Sequence, residues 1–234
     1  MRLNRERLVA AAFDLVDEEG AEALSMRMLA ARVDRQVSSL YNHVAGRGEL
    51  IEAMRARIVE GIDIVPFAYA DADADGGADG GADGGTDGGE ASSWDIALER
   101  WARSYLRAFA AHPNLIRLLA TTSIRDRSTY AMYDSIVAGL ERGGWPEGQV
   151  IAVIRTVEAH VLGSALDIVA PGDMLDQTSV DPHFSHVRSA LDPRNATAYG
   201  ATAAFELGLT ALIDGLRLRL EAANPSDRTG GSDG

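Results

Sequence analysis

The sequence predicts an all-α protein with a small helical head and a larger helical body. Apolar residues recur at helical spacing through residues 4–64 and 93–223, and no stretch of any length alternates apolar and polar residues as a half-buried strand would. Between these regions, residues 69–91 repeat Asp and Gly in an ADGG pattern that favours neither helix nor strand. The expected domains are a head at 1–64, a flexible linker at 65–92, a body at 93–223 and a disordered tail at 224–234.

The head divides into short helices. The first carries Leu8 and Leu15 on one face and stops at Gly20. Ser25 is a good N-cap for a second helix, and a short break leads to a third over residues 37–44. Two short helices joined by a three- to four-residue turn, with a third helix before them, are the geometry of helix-turn-helix DNA-binding domains.

The charge distribution bears on this interpretation. A net charge of -13 argues at first against a nucleic-acid partner. Residues 64–93, however, contain no arginine and carry -7 of that total, whereas residues 25–47 carry a local +3. The chain has no cysteine, which excludes disulfides, thiolate metal sites and a cysteine nucleophile. The acidic total therefore describes mainly the linker and does not exclude DNA binding.

The third helix would present small polar side chains outward. An eight-residue helix is about 12 Å long, which matches the width of the major groove. Hydroxyl, amide and imidazole groups suit both base edges and phosphates. The alternative interpretation is a structural three-helix cap with a solvated polar face. The outward residues would be Ser38, Ser39, Tyr41, Asn42 and His43.

The amino-acid sequence of the head is more informative than its helix pattern, because it matches a known family. The head resembles the N-terminal domain of the TetR (tetracycline-repressor-like) family of transcriptional regulators over about 60 residues without gaps. The features that carry the resemblance are Glu19-Gly20, Leu24-Ser25-Met26-Arg27, Leu29-Ala30, Ser39-Leu40-Tyr41-Asn42-His43-Val44 and Leu50-Ile51.

The resemblance implies roles for matching positions. Arg27 would reach the base edge of a guanine, since arginine pairs bidentately with its O6 and N7. Tyr41, His43 and Arg47 would contact phosphates, which fixes the register without specifying sequence. The turn departs from the family pattern, because Asp34-Arg35 stands where glycine and an apolar residue are common, so Arg35 must point outward or the turn must differ. The expected DNA-binding residues are Met26, Arg27, Gln36, Val37, Ser38, Ser39, Tyr41, Asn42, His43 and Arg47.

The body is similar to the tetracycline-repressor type of C-terminal domain, at Trp94, at the Gly143–Pro146 corner and over residues 205–216. This resemblance implies a small-molecule effector, and aromatic residues of the body are candidates to line its pocket. No cofactor and no metal are expected. Magnesium–tetracycline is not the expected effector, because the stretch after His112 has no further histidine and Trp101 replaces a ligand-binding amide. The candidate ligand-binding residues are Trp101, Tyr105, His112, Tyr133, Trp145 and His160.

The last helix bears a broad apolar stripe. The family resemblance implies a homodimer that pairs through this helix and binds a palindrome-like operator of double-stranded DNA. The alternative is that the stripe belongs to the core of one chain. The candidate interface residues are Phe205, Leu209, Leu212, Ile213 and Leu216.

Other classes are not expected. No run of 18 apolar residues indicates a transmembrane helix, and the N-terminus lacks a signal-peptide pattern, so a cytoplasmic protein is the expectation. Asp71–Gly76 imitates the start of a calcium loop, but its twelfth position is Ala82 instead of glutamate. No catalytic motif is present.

The sequence predicts a ligand-responsive repressor; the alternative is a helical small-molecule-binding protein whose operator binding is weakened or lost.

Overall fold

A computed structural model describes residues 3–68, 93–171, 174 and 176–223 of the chain. All regular elements among these residues are helices, as the sequence predicted. The linker from residue 69 to 92 and the tail from 224 to 234 lie outside the described residues. The helices are α1 Arg5–Glu19, α2 Met26–Arg32, α3 Val37–Leu40, α4 Arg47–Val59, α5 Val65–Ala68, α6 Trp94–Ala110, α7 Pro113–Ala120, α8 Arg127–Arg142, α9 Glu147–Ile168, α10 Ser185–Ala190, α11 Ala196–Tyr199 and α12 Ala201–Ala223.

Local sequence fixes both ends of α1. The Asn4 side chain accepts a hydrogen bond from the Arg7 amide at 2.9 Å, which satisfies one of the free N–H groups of the first turn. At the other end Gly20 adopts φ 86° and its amide donates to the Val16 carbonyl at 2.8 Å. A left-handed φ of this kind is readily available to glycine, so Gly20 ends the helix where the sequence predicted.

The chain forms two compact units whose boundaries differ from the predicted domains. One unit combines Met1–Ile62 with Ser104–Asp134, and the other combines Asp63–Arg103 with Ser135–Gly234. The sequence assigned residues 104–134 to the body. The amphipathic pattern of α7 shows that one face is buried but not what covers it, and in the structure α7 packs on α1 of the head.

Polar contacts reinforce the packing of α7 on α1 in the first unit. His112 Nδ1 lies 2.7 Å from Asp17 Oδ2, and the His112 ring meets Phe13 edge-on with centroids 4.7 Å apart. Asn114 Nδ2 donates to the carbonyls of Val16 and Asp17 at 3.2 and 3.0 Å. These carbonyls belong to the last turn of α1, where the Val16 carbonyl also accepts from the Gly20 amide and most other carbonyls lack an intrahelical donor. The start of α7 therefore caps the end of α1.

The second unit is built around the pairing of α9 with α12. The His160 ring stacks on Phe205 with centroids 5.3 Å apart and an interplanar angle of 5°. Its Nε2 is 2.9 Å from the Phe205 carbonyl. A Cβ on Gly208 would lie 2.4 Å from the same ring, so this close approach of the two helices requires glycine at position 208.

Two elements depart from the predicted boundaries. Residues 65–68, predicted as the start of the linker, form α5, and Phe67 is buried beside Gly139. The last helix, predicted as continuous from 196, is interrupted at Gly200, so α11 and α12 are separate. In the described ranges, none of the helices is long and apolar enough to cross a membrane.

Candidate nucleic-acid interface

Helices α2 and α3 form a helix-turn-helix in the first unit. Ser25 caps α2, because its Oγ accepts a hydrogen bond from the Met28 amide at 3.2 Å. Leu29 on α2 and Leu40 on α3 are both fully buried. Residues 33–36 connect the two helices, so the turn has the four-residue length that the motif requires.

The turn accommodates the unusual Asp34-Arg35 pair. Asp34 adopts φ 51°, the left-handed conformation that glycine usually supplies and that aspartate tolerates better than most residues. The Arg35 amide donates to the Ala30 carbonyl at 3.0 Å, which closes the turn. The Arg35 side chain is exposed and donates to the Asp34 carbonyl at 2.6 Å. Arginine therefore points outward here and leaves the turn geometry intact.

Asp34→Gly is expected to stabilise the protein by about 0.5 kcal/mol, because glycine removes the strain of a left-handed side chain but loses more backbone entropy on folding. Asp34→Val is the matched control and is expected to destabilise it by about 1–2 kcal/mol. Urea unfolding of both variants measures the two effects. Equal destabilisation by Gly and Val would show that the Asp34 carboxylate, and not its backbone conformation, matters here.

The recognition helix is shorter than predicted. Regular helix ends at Leu40, whereas the sequence predicted residues 37–44. The chain continues in tight turns, with the His43 and Val44 amides donating to the Leu40 carbonyl at 2.9 and 3.1 Å. Serine and asparagine side chains compete for backbone hydrogen bonds and weaken a helix at this point. Because Leu40 and Val44 are both buried, the segment is still anchored at two points.

The predicted DNA-binding residues are all accessible to solvent. None of the ten is buried, while Leu29, Leu40 and Val44 between them are part of the core of the head. Tyr41 is 53% exposed, so its phenol does not pack into the head. The exposed members are Arg27, Gln36, Ser38, Tyr41, Asn42 and Arg47, and the half-buried ones are Met26, Val37, Ser39 and His43. We call these ten residues the recognition surface.

The arginines of this region are not equivalent. Arg27 is exposed and makes no ion pair within the described residues. Arg32 binds Glu18 through two hydrogen bonds of 2.9 and 2.5 Å, and this contact lowers the pKa of Glu18. Arg32 thus contributes little to the local positive charge that the sequence indicated. No sequence pattern indicates this pair, because its partners are 14 residues apart on different helices.

The start of α4 holds the recognition surface in place. Arg47 Nε donates to the Leu24 carbonyl, just before α2, at 2.8 Å. Glu49 accepts from the Ala45 amide at 2.6 Å and pairs with Arg5. The Ala45 amide, and then Arg5, hold the pKa of Glu49 below its ordinary value. Arg47 was predicted only as a phosphate contact, but in the structure it also fixes the chain around α2.

A second polar pair on α4, Arg55 with Glu52, was not expected from the sequence. Arg55 is only 7% exposed, and its guanidinium donates to the carbonyl of Leu119 in the last turn of α7 and to that of Thr122 just after it. Glu52 lies beside it, and the distance from Arg55 Nε to Glu52 Oε1 is 3.4 Å. One sequence feature could have indicated that Arg55 is buried: it lies next to Met54 on the apolar face of the helix.

The candidate ligand-binding residues are divided between the two units. Tyr105, His112 and Tyr133 belong to the first, and Trp101, Trp145 and His160 to the second. His112 and His160 each use a ring nitrogen in a contact within their own unit, so neither is a free anchor at that atom. Trp101 and Trp145 are buried. The Trp145 indole N–H has no hydrogen-bond acceptor among the described residues.

The dimer-interface residues predicted on α12 are mostly buried within one chain. Four of the five are at most 9% exposed within one chain, where they contribute to the core of the second unit, so they have almost no surface left for a partner. Core and interface residues are both apolar, which is why the stripe alone could not distinguish them. The buried four are Phe205, Leu209, Ile213 and Leu216, and Leu212 is half-buried.

Comparison with known proteins identifies the family. Residues 88–220 match the family model described as the tetracyclin repressor-like C-terminal domain. The chain is 29% identical over 163 residues to the HTH-type transcriptional repressor DrrR1 of Streptomyces coeruleorubidus, covering 70% of this chain and only 53% of that relative. It is 25% identical over 225 residues to the class A tetracycline repressor from transposon 1721 in Escherichia coli, covering 93% and 92% of the two chains.

The fold leads to the same family. The structure is similar to a possible TetR family transcriptional regulator from Streptomyces coelicolor A3(2), with a TM-score of 0.67 and 29% identity. The similarity covers 92% of this chain and 99% of that one. The helix-turn-helix with its exposed polar surface, the match over more than half of the sequence and the shared fold agree: the chain belongs to the TetR family of transcriptional regulators.

Proposed function

We propose that the chain is a ligand-responsive transcriptional repressor that binds operator DNA through the recognition surface. The observation that carries the proposal is the arrangement of that surface. Six of its eight polar side chains are exposed, while the neighbouring Leu40 and Val44 are buried in the head. Exposed Arg27 and Arg47 supply positive charge at the start of α2 and of α4. DrrR1 and the class A relative are both named as repressors.

Selection of binding sites from a random DNA library tests this proposal. We expect the purified protein to enrich one palindrome-like site, because a symmetric dimer presents two recognition surfaces about one helical turn apart. Binding to that site should be measured by gel shift at a fixed salt concentration. A library that shows no enrichment after several rounds would contradict the proposal.

The same experiment distinguishes the second candidate, a helical small-molecule-binding protein without operator binding. The ion pair between Arg32 and Glu18 favours this candidate, because it removes one positive charge from the neighbourhood of the recognition surface. A protein of this kind would bind DNA only weakly, with the same affinity for every sequence.

Effector binding is proposed for the second unit, near Trp145. A buried donor without an acceptor is unusual in a folded protein, and an acceptor on a small molecule would satisfy the indole N–H. Trp94 packs edge-on against Trp145 with centroids 5.4 Å apart and adds aromatic surface. A screen of compounds by tryptophan emission tests this. A true effector should change the emission of the wild type and bind Trp145→Phe more weakly.

A homodimer is proposed through the outer faces of α9 and α12. Because the inner face of α12 packs on α9, only the opposite sides remain for a second copy. Leu207 and Leu218 are 74% and 67% exposed on α12, and Ile151 and Leu166 are at least half exposed on α9. Gly215 lies on the exposed side of α12 with no atom near its missing Cβ, which leaves room for close approach.

The double variant Leu207→Arg/Leu218→Arg is expected to be a folded monomer, because charges replace apolar contacts on the proposed interface. Light scattering coupled to size exclusion measures the mass. Ile96→Arg is the control, since Ile96 is 50% exposed on α6 and lies outside this surface. A double variant that stays dimeric would contradict the proposed interface.

A further inference from the structure

We infer that Arg35, in the turn between α2 and α3, binds a phosphate of the DNA backbone outside the recognition surface. The inference rests on the proposed function, because Arg35 would extend the same interface by one residue in each head. A phosphate contact raises affinity and salt dependence but adds no sequence preference. Every residue involved belongs to the first compact unit.

A cleft of about 420 Å³ lies between α1 and this turn. Its apolar lining consists of Leu3, Ala10, Ala11 and Val33, and none of the four is buried. An apolar side chain at position 35 would cover part of this lining, and covering apolar surface stabilises a fold. Position 35 therefore does not hold the residue that packing alone favours, and such departures are expected where a residue serves binding.

Charged side chains also line the cleft. Arg32 is one of them, and Glu18 already holds it through hydrogen bonds of 2.9 and 2.5 Å. Two positive and two negative side chains make up the rest, namely Arg7, Arg35, Asp14 and Asp34. Because these four charges balance, the cleft does not attract a small anion from solution by net charge. It suits instead a phosphate that the recognition surface has already brought close.

The backbone of the turn holds Arg35 outward and orients it. Asp34 adopts φ 51°, and the Arg35 amide donates to the Ala30 carbonyl at 3.0 Å. The exposed Arg35 side chain donates through Nη1 to the Asp34 carbonyl at 2.6 Å. A guanidinium binds phosphate through a planar fork of N–H donors. Because a backbone group already orients this fork, the side chain loses less freedom when it binds DNA.

The position of Arg35 in the chain places it beside the DNA backbone. Gln36 of the recognition surface follows it directly, and α3 begins at Val37. Consecutive Cα atoms are about 3.8 Å apart, so the Arg35 Cα lies within about 8 Å of the start of α3. The major groove is about 12 Å wide, and a phosphate strand borders it on each side. A helix that enters this groove therefore brings the residues just before it close to phosphates.

The salt dependence of operator binding tests the inference. The affinity of the full chain for the duplex selected from the library is measured between about 50 and 200 mM salt. Each phosphate contact contributes about 0.9 to the slope of log affinity against log salt, so its loss from both heads of the proposed dimer should lower the slope by about 1.8. Arg35→Val should show this loss and weaken binding by the same factor at every sequence.

A separate measurement excludes a structural role for Arg35. We expect Arg35→Val to unfold at the same or a higher urea concentration than the wild type, because valine covers part of the apolar lining of the cleft. Unfolding at a lower urea concentration would show that Arg35 serves stability and would contradict the inference. Arg35→Gln keeps an exposed polar side chain in the turn, so it tests the loss of slope even if valine disturbs the fold.

Three further variants are matched controls. Arg35→Lys keeps the positive charge and should keep the slope, since lysine also binds phosphate. Asp34→Asn keeps a residue that tolerates the left-handed backbone and removes a carboxylate from the side of the phosphate, so it should raise the affinity at every sequence. Arg57→Met removes an exposed arginine of α4 and should leave the slope unchanged.

Neutral methylphosphonate links, placed at one phosphate of the selected duplex at a time, locate the contact. We expect one phosphate in each half-site whose neutralisation weakens the wild type about tenfold but leaves Arg35→Gln unaffected. An unchanged salt slope in Arg35→Gln, or a loss of discrimination at a single base pair, would overturn the inference while operator binding stands. A wild type that enriches no DNA site would overturn the proposed function, and the inference with it.

Discussion

Arg55→Ala is expected to lower the free energy of unfolding by about 3–5 kcal/mol, because removing one partner of a buried charged pair leaves the other groups uncompensated. Arg55 is 7% exposed, and both carbonyls that it binds would lose their donor. A typical domain is stable by only about 5–15 kcal/mol, so a change of this size moves the unfolding transition far.

Urea unfolding followed by far-UV circular dichroism measures this effect. Arg57→Ala is the control, because Arg57 lies two residues away on the same helix with its side chain exposed. We expect the control to change stability by less than about 0.5 kcal/mol. A similar loss in both variants would mean that the residues act through the charge of α4 and not through the contacts of Arg55.

Arg27→Ala is expected to weaken discrimination at one base pair of the operator by about 1–3 kcal/mol, because a bidentate contact to a base edge would be lost. Arg27 is exposed in the first turn of α2, with no ion pair among the described residues that would hold it back. The variant should therefore keep its fold and its affinity for DNA of unrelated sequence.

Gel shifts against the selected site and against every single-base change in one half-site measure this discrimination. The expected pattern is a loss confined to one position, and Arg57→Ala serves as the control that leaves all positions unchanged. Weaker binding of Arg27→Ala by the same factor at every sequence would show that Arg27 contacts a phosphate and no base.

Features that depend on local sequence were predictable. Ser25 as an N-cap and Gly20 as a helix stop follow from backbone chemistry that involves only a few neighbouring residues. The left-handed turn at Asp34 is of the same kind, because the two-helix spacing demands a tight turn at that position. The length of α3 was overestimated, since helical spacing from Leu40 to Val44 is equally compatible with consecutive tight turns.

Features that depend on distant partners were not predictable in this way. The pair of Arg32 with Glu18 and the bonds from Arg55 to Leu119 and Thr122 join residues 14 to 67 positions apart. A sequence shows which face of α7 is apolar but not that α1 covers it. Residues 104–134 were therefore predicted as part of the body, although they belong to the first unit.

The apolar stripe of α12 also could not be assigned from the sequence, because its position in the core or at an interface depends on distant parts of the structure. Periodicity grouped Phe205 and Leu209 correctly on one face, but core and interface have the same composition. Leu207 and Leu218 on the other face are exposed, and the proposed dimer interface lies there for that reason.

The ratio of affinities for the selected site and for a scrambled duplex of equal length tests the central claim most directly. Both affinities must be measured with the full chain at one salt concentration, since phosphate contacts make each depend steeply on salt. An operator-binding repressor should prefer its site by at least about a thousandfold. A ratio near one would contradict the account and identify the chain as a helical protein of this family that does not read DNA sequence.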